Sequence, residues 1–123
     1  MTISFEIPGL PLMTNTSRVH WRKLYKERAK WKGLVGNAVL LADERRAAER
    51  KPLTRARVTI TRCSSTEPDY DGLVSGGKAL LDGLVEAGVI VDDKVSVIGQ
   101  PVYLWEKAKP GKGKVKVRVE SIE

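Results

Sequence analysis

The chain has 123 residues, 41% of them hydrophobic and 30% charged, with a formal net charge of +7. That length fits one domain with a modest core, and the ordinary apolar fraction argues against disorder. The positive balance favours a polyanionic partner without choosing among DNA, RNA and a membrane surface.

Ile3, Phe5 and Ile7 alternate with Ser4 and Glu6, which predicts a short half-buried strand closed by Pro8 and Gly9. From about Trp21 to Ala48 the pattern turns helical. Leu24, Trp31, Leu34, Val35, Ala38, Val39, Leu41 and Ala42 recur at three- and four-residue spacing with cations between them. Gly33 and Gly36 each cost that helix about 1 kcal/mol relative to alanine, which points to close packing at both. Pro52 ends the segment, and Val58, Ile60 and Arg62 mark a second strand. Leu73, Leu80, Leu81, Leu84 and Val85 form the stripe of a second helix over residues 72–87, ended by Gly88. Val95 to Trp105, broken at Gly99 and Pro101, reads as a bulged or edge strand. After a turn at Pro110-Gly111-Lys112-Gly113, Val115, Val117 and Val119 alternate with Lys116, Arg118 and Glu120, a last strand with one basic face. The order is β-α-β-α-β-β, a single α/β domain over residues 1–123.

Cys63 is the only cysteine, so no intrachain disulfide or cysteine-rich zinc site is expected. No apolar run approaches the roughly 18 residues that span a bilayer, and no signal peptide opens the chain. A cytoplasmic protein without a membrane partner is expected.

Charge is sharply partitioned. Residues 67–93 hold seven carboxylates and one cation, Lys78, whereas residues 18–32 hold seven Lys or Arg against one acid. Residues 107–118 hold six cations and no acid. Carboxylates surrounded by positive charge suit a divalent metal placed against a polyanion. Asp69 and Asp71, two apart and preceded by Pro68, share one side if the segment is extended, and two hard oxygen ligands suit Mg²⁺ or Mn²⁺. The alternative is that Asp69 caps the next helix and Asp71 is merely solvated. Asp92-Asp93 supplies a second acidic pair, in a position where turns often carry aspartate. Lys78 shares a helix face with Asp71, Ser75 and Asp82, and either stabilises phosphate charge or pairs with Asp82. His20, in the basic loop, suits phosphate or solvent contact better than catalysis.

Taken in order, Asp69-Tyr-Asp71, Lys78-Ala-Leu-Leu-Asp82 and Gly88-Val-Ile-Val-Asp92-Asp93 resemble the RusA family of Holliday-junction resolvases. Ile7-Pro8-Gly9 followed by Asn15 is similar to that family's opening strand and loop. The resemblance implies a homodimer with a small mixed sheet and two helices per chain. It implies Asp69, Asp71 and Asp93 as metal ligands, Lys78 as the functional lysine and Asp92 as an accessory acid. It further implies Mg²⁺, replaceable by Mn²⁺, and paired symmetric nicks in four-way DNA junctions during recombination and repair. Two departures stand out. Gly72 occupies the family's usual asparagine position, and Val74-Ser75-Gly76-Gly77 lengthens the interval to Lys78. Arg18, Arg22, Lys23, Lys26, Lys30, Lys112, Lys114 and Lys116 are the expected backbone contacts, which position DNA without reading its sequence. Two other functions remain open: a catalytically silent branched-DNA or RNA binder, and a flap- or fork-specific nuclease of the same chemistry.

Overall fold

Alternating burial along the valine-rich segments produces one four-stranded mixed sheet. The computed structural model describes residues 2–13, 21–42 and 51–122. The elements are β1 (Thr2–Pro8), α1 (Trp21–Ala42), β2 (Ala56–Ser64), α2 (Tyr70–Glu86), α3 (Val95–Ile98), β3 (Val102–Lys107) and β4 (Lys114–Ser121). The strand order is β1-β4-β2-β3, with β4 antiparallel to both neighbours and β3 parallel to β2. A parallel neighbour needs a long crossover, and α2 with the following segment provides it.

Ile3, Ile7, Val58, Ile60, Val115, Val117 and Val119 turn to the helices, where Trp31, Val35, Val39, Leu80 and Leu84 meet them. The fold is therefore the mixed α/β domain that the periodicity implied. The opposite sheet face carries charge instead. There Lys114 pairs with Glu6 at 3.1 Å, Lys116 with Glu106 at 2.9 Å and Arg118 with Glu120 at 3.3 Å. Beneath them Cys63 is buried, and its S–H lies 3.6 Å from Glu106. Burial first, then the Glu106 charge, push its thiol pKa up, so it is an inert core side chain.

Two expectations change and one lies partly outside the described residues. Val95–Ile98 is a one-turn helix, so the element order gains a third helix and β3 begins only at Val102. Gly99, at φ +60°, ends that turn in a conformation costly for any residue with a Cβ. The first long helix is described only to Ala42, and residues 43–48 lie outside the described residues. Gly33 and Gly36 make no close approach, since a Cβ added at either meets nothing within 4 Å. The tight contact comes from α2 instead, where a Cβ on Gly83 would stand 2.8 Å from Val35 Cβ.

Two alanine substitutions should therefore move stability in opposite directions. Gly33→Ala should gain up to about 1 kcal/mol from helix propensity alone. Gly83→Ala should lose about 1–3 kcal/mol, because Val35 is fully buried and has nowhere to shift. Urea denaturation of both variants checks the pair, and a stabilised Gly83→Ala would contradict this packing.

Candidate metal and nucleic-acid site

The acidic segment begins where β2 ends. Ser64 Oγ donates to the Thr66 carbonyl at 2.8 Å and accepts from Trp105 Nε1 at 2.9 Å, folding the chain toward α2. Asp69 is the N-cap of α2, with φ −72° and ψ 169°, and its Oδ1 accepts the Gly72 N–H at 2.7 Å. The helix starts at Tyr70, so Asp71 sits in the first turn and not in an extended segment. The same-side argument from alternation therefore fails, and the capping alternative holds for Asp69. One Asp69 oxygen remains outside the cap bond, and both residues are exposed. The position of Gly72 is crowded by two side chains. A Cβ there would meet Met13 Sδ at 2.8 Å and Asp69 Oδ1 at 2.9 Å, so an asparagine does not fit this chain without rearrangement.

Lys78 lies two turns beyond Asp71, about 10 Å along the helix axis. The longer interval stays inside continuous helix and keeps Asp71, Ser75, Lys78 and Asp82 on one ridge. Lys78 Nζ donates to Asp93 Oδ2 at 2.6 Å and lies 3.0 Å from Asp82 Oδ1. The chain that returns after α2 thus brings Asp93 to the middle of the helix. Asp92 shapes that return, its Oδ1 accepting the Asp93 N–H at 2.7 Å. The hydrogen bond to Asp93 raises the Lys78 pKa, burial opposes it, and Asp82 adds to the rise. The same bond holds the Asp93 carboxyl below the usual aspartate range, against partial burial. Lys78 is accordingly a fixed positive charge and not a proton acceptor near neutral pH.

Two tyrosines that the sequence reading passed over border this ridge. Tyr103 of β3 packs against α2 where a Cβ on Gly77 would be 2.6 Å from its ring. Tyr70 meets it edge-on, with centroids 6.4 Å apart and planes at 88°. Burial first, then the charge of Tyr70, raises the Tyr103 pKa. Tyr70 stands between the two aspartates and was visible as a neighbour; Tyr103 required the strand register.

The acids do not all meet within one chain. Among the described residues no group of three His, Cys, Asp or Glu is arranged to hold a metal. Asp69 and Asp71 share one helix end, Asp93 belongs to the Lys78 cluster, and Asp92 faces Lys94 at 3.6 Å. The basic residues divide as well. Arg22, Lys23, Lys26 and Lys30 line one surface of α1, Arg22 sits 5.4 Å from the Trp21 ring centroid, and Trp21 and Tyr25 are exposed. Lys114 and Lys116 lie on the sheet face away from the helices, with exposed Lys112 in the preceding turn. Arg18 and His20 lie outside the described residues. Comparison of the sequence with protein-family models and with curated proteins finds no match. No described helix is long and apolar enough to cross a membrane.

The Lys78–Asp93 pair gives a pH signature. Asp93 has a lowered folded-state pKa, so its contribution is complete above the unfolded carboxylate range and is lost as pH falls through the folded value. With the Lys78 side chain 49% exposed, solvent screening keeps the energy small, and the titration itself is the better readout. Carboxyl-detected NMR should place Asp93 below ordinary aspartates, and Lys78→Met should move it upward. An Asp93 that titrates normally in the unmodified protein would mean the pair does not persist in solution.

Proposed function

We propose that this chain is a divalent-metal-dependent endonuclease acting on branched DNA, four-way junctions in particular. The observation that carries the reading is the α2 ridge, where Asp71, Lys78 and Asp93 share one exposed strip. Next to Asp82 on that ridge α1 carries Arg28 and Lys32, and another face of α1 carries Lys23, Lys26 and Lys30, a surface suited to backbone phosphates.

Asp69 and Asp71 offer hard oxygens at one helix end, which fits Mg²⁺ because that ion takes one or two protein carboxylates and keeps several waters. Asp93 is the third candidate ligand, from the Lys78 cluster or from a second copy. A bound metal would lower the pKa of an attacking water and neutralise charge building on the phosphate. Lys78 holds Asp93 ionised and supplies a fixed positive charge on the same ridge. Asp92 orients Asp93 through its backbone N–H.

A homodimer belongs to this reading, since a two-fold pair presents one site to each of two opposed strands of a junction. Val95, Val102 and Leu104 are exposed and are candidates for its interface, whereas Val97 packs against the core. A second reading, a silent branched-nucleic-acid binder, is favoured by the separation of the acids within one chain and by the cap role of Asp69.

Nicking of four-way junctions, forks and duplexes with Mg²⁺ or with chelator separates the two. The nuclease should nick only with metal, and Asp71→Asn should abolish nicking while junction binding persists or tightens. Full activity in that variant would remove Asp71 from the mechanism, and binding without any nicking by the unmodified protein would establish the silent binder. Salt dependence locates the DNA. Replacing Lys23, Lys26 and Lys30 by alanine should flatten the log K against log salt slope by up to about three. Replacing Lys114 and Lys116 should change it less, because each is paired with a glutamate.

A further inference from the structure

Arg62 is placed where an apolar side chain belongs. It follows Val58 and Ile60 on the helix-facing side of β2 and runs under α2, where a Cβ on Gly76 would stand 3.3 Å from its Nη1. Nη1 donates to the Pro11 carbonyl at 2.8 Å. Burial pushes the guanidinium pKa down, and no carboxylate among the described residues counteracts that shift. The group stays charged regardless, because arginine does not deprotonate in proteins, and of its five N–H donors one meets an acceptor among the described residues. A half-buried cation with no counter-ion among the described residues is costly unless an anion completes it.

The guanidinium lines an open groove of about 440 Å³, bordered by Met13, Ser65, Thr66, Glu67 and Asp69. This groove adjoins the cap residue of α2, two residues before Asp71. We propose that Arg62 binds a backbone phosphate of a DNA strand that crosses the start of α2 beside Asp69 and Asp71. The inference rests on the nuclease reading for the identity of the strand, and on the groove for the anion. Guanidinium geometry matches two phosphate oxygens in parallel, so the contact fixes orientation as well as position. Glu67 and Asp69 on the same walls oppose a free anion. A phosphate delivered by a strand already held along α1 overcomes that opposition; inorganic phosphate alone does not.

The competing role is a strut that ties Pro11 to β2, which affects stability without reference to phosphate. Junction binding is measured in chelator across a salt series for the unmodified protein, Arg62→Gln and Arg62→Lys, with a thermal melt of each. Arg62→Gln should bind about tenfold more weakly at fixed salt, and its log–log slope should be shallower by about one. Arg62→Lys, which keeps the charge but loses the planar fork, should restore the slope and only part of the affinity. A junction with one neutral methylphosphonate beside the cut should weaken binding of the unmodified protein and leave Arg62→Gln indifferent. A lowered melt with unchanged slope and unchanged methylphosphonate response identifies a strut and overturns the proposal. Should Arg62→Gln not fold, Arg62→Lys decides, since wild-type affinity in that variant, together with indifference to every neutral phosphate, overturns it equally. Metal-dependent nicking with binding independent of Arg62 sinks this inference alone. Phosphate-specific binding through Arg62 without any nicking sinks the nuclease reading and leaves Arg62 standing.

Discussion

The seating of α2 on its surroundings is the contact on which the rest of the molecule depends. Gly72, Gly76, Gly77 and Gly83 are buried on its inner side, and the space a Cβ would take is filled by Met13, Arg62, Tyr103 and Val35. Each glycine weakens the helix by about 1 kcal/mol relative to alanine, so α2 is held by what it buries and not by propensity. Leu80 and Leu84, both fully buried, supply that hold. Close approach has a cost in tolerance as well. A side chain restored at Gly77 or Gly83 must displace a tyrosine ring or a buried valine, neither of which is the loose end of a flexible chain.

Because one side of α2 is committed to this contact, the other side is free to be polar. Asp71, Ser75, Lys78 and Asp82 occupy it at helical spacing. Lys78, the one cation between residues 67 and 93, is drawn between Asp82 and Asp93 and fixes the returning chain against the helix. A single ammonium thus does structural and electrostatic duty together. It anchors residues 92–93, which then lead into the α3 turn and on to β3, and it keeps Asp93 ionised where a neutral acid would have no use for the contact.

Strands with clean alternation and the leucine stripe of α2 were legible in the sequence because burial there follows a simple period. Val95-Ser-Val-Ile was not. Its β-branched residues suit a strand, but the chain must turn between the Lys78 cluster and the start of β3, and a single helical turn closed at Gly99 achieves that. The glycines show the same limit from another direction. Gly33 and Gly36 announce open space next to a neighbour, yet which helix presses against which is a tertiary fact, and Gly83 is the one in contact. For the acids, the sequence brought Asp69 to two readings, a ligand in an extended segment or a cap, and the helix start at Tyr70 selects the cap. The meeting of Asp93 with Lys78 depended on the return path of the chain, which no local spacing encodes. Tyr103 and Arg62 were invisible as site neighbours for the same reason, since only the pairing of β3 with β2 and the lie of α2 bring them there.

The same layering sorts the cations. On the open sheet face Lys114, Lys116 and Arg118 each stand within ion-pair distance of a glutamate, so much of the positive charge there is offset. On α1 the only acid among Arg22, Lys23, Lys26 and Lys30 is Glu27, and it accepts a hydrogen bond from Trp31 Nε1 at 3.0 Å. The helical layer thus carries both the lysine-rich face of α1 and the Asp71–Lys78 ridge of α2. A net charge of +7 says only that an anion is attracted. Its distribution sets Lys23, Lys26 and Lys30 on one face of α1, and the half-buried Arg62 lies between the helical layer and the sheet beside Glu67 and Asp69. Cations and acids thus meet at the start of α2, where Arg62, Glu67 and Asp69 line one groove.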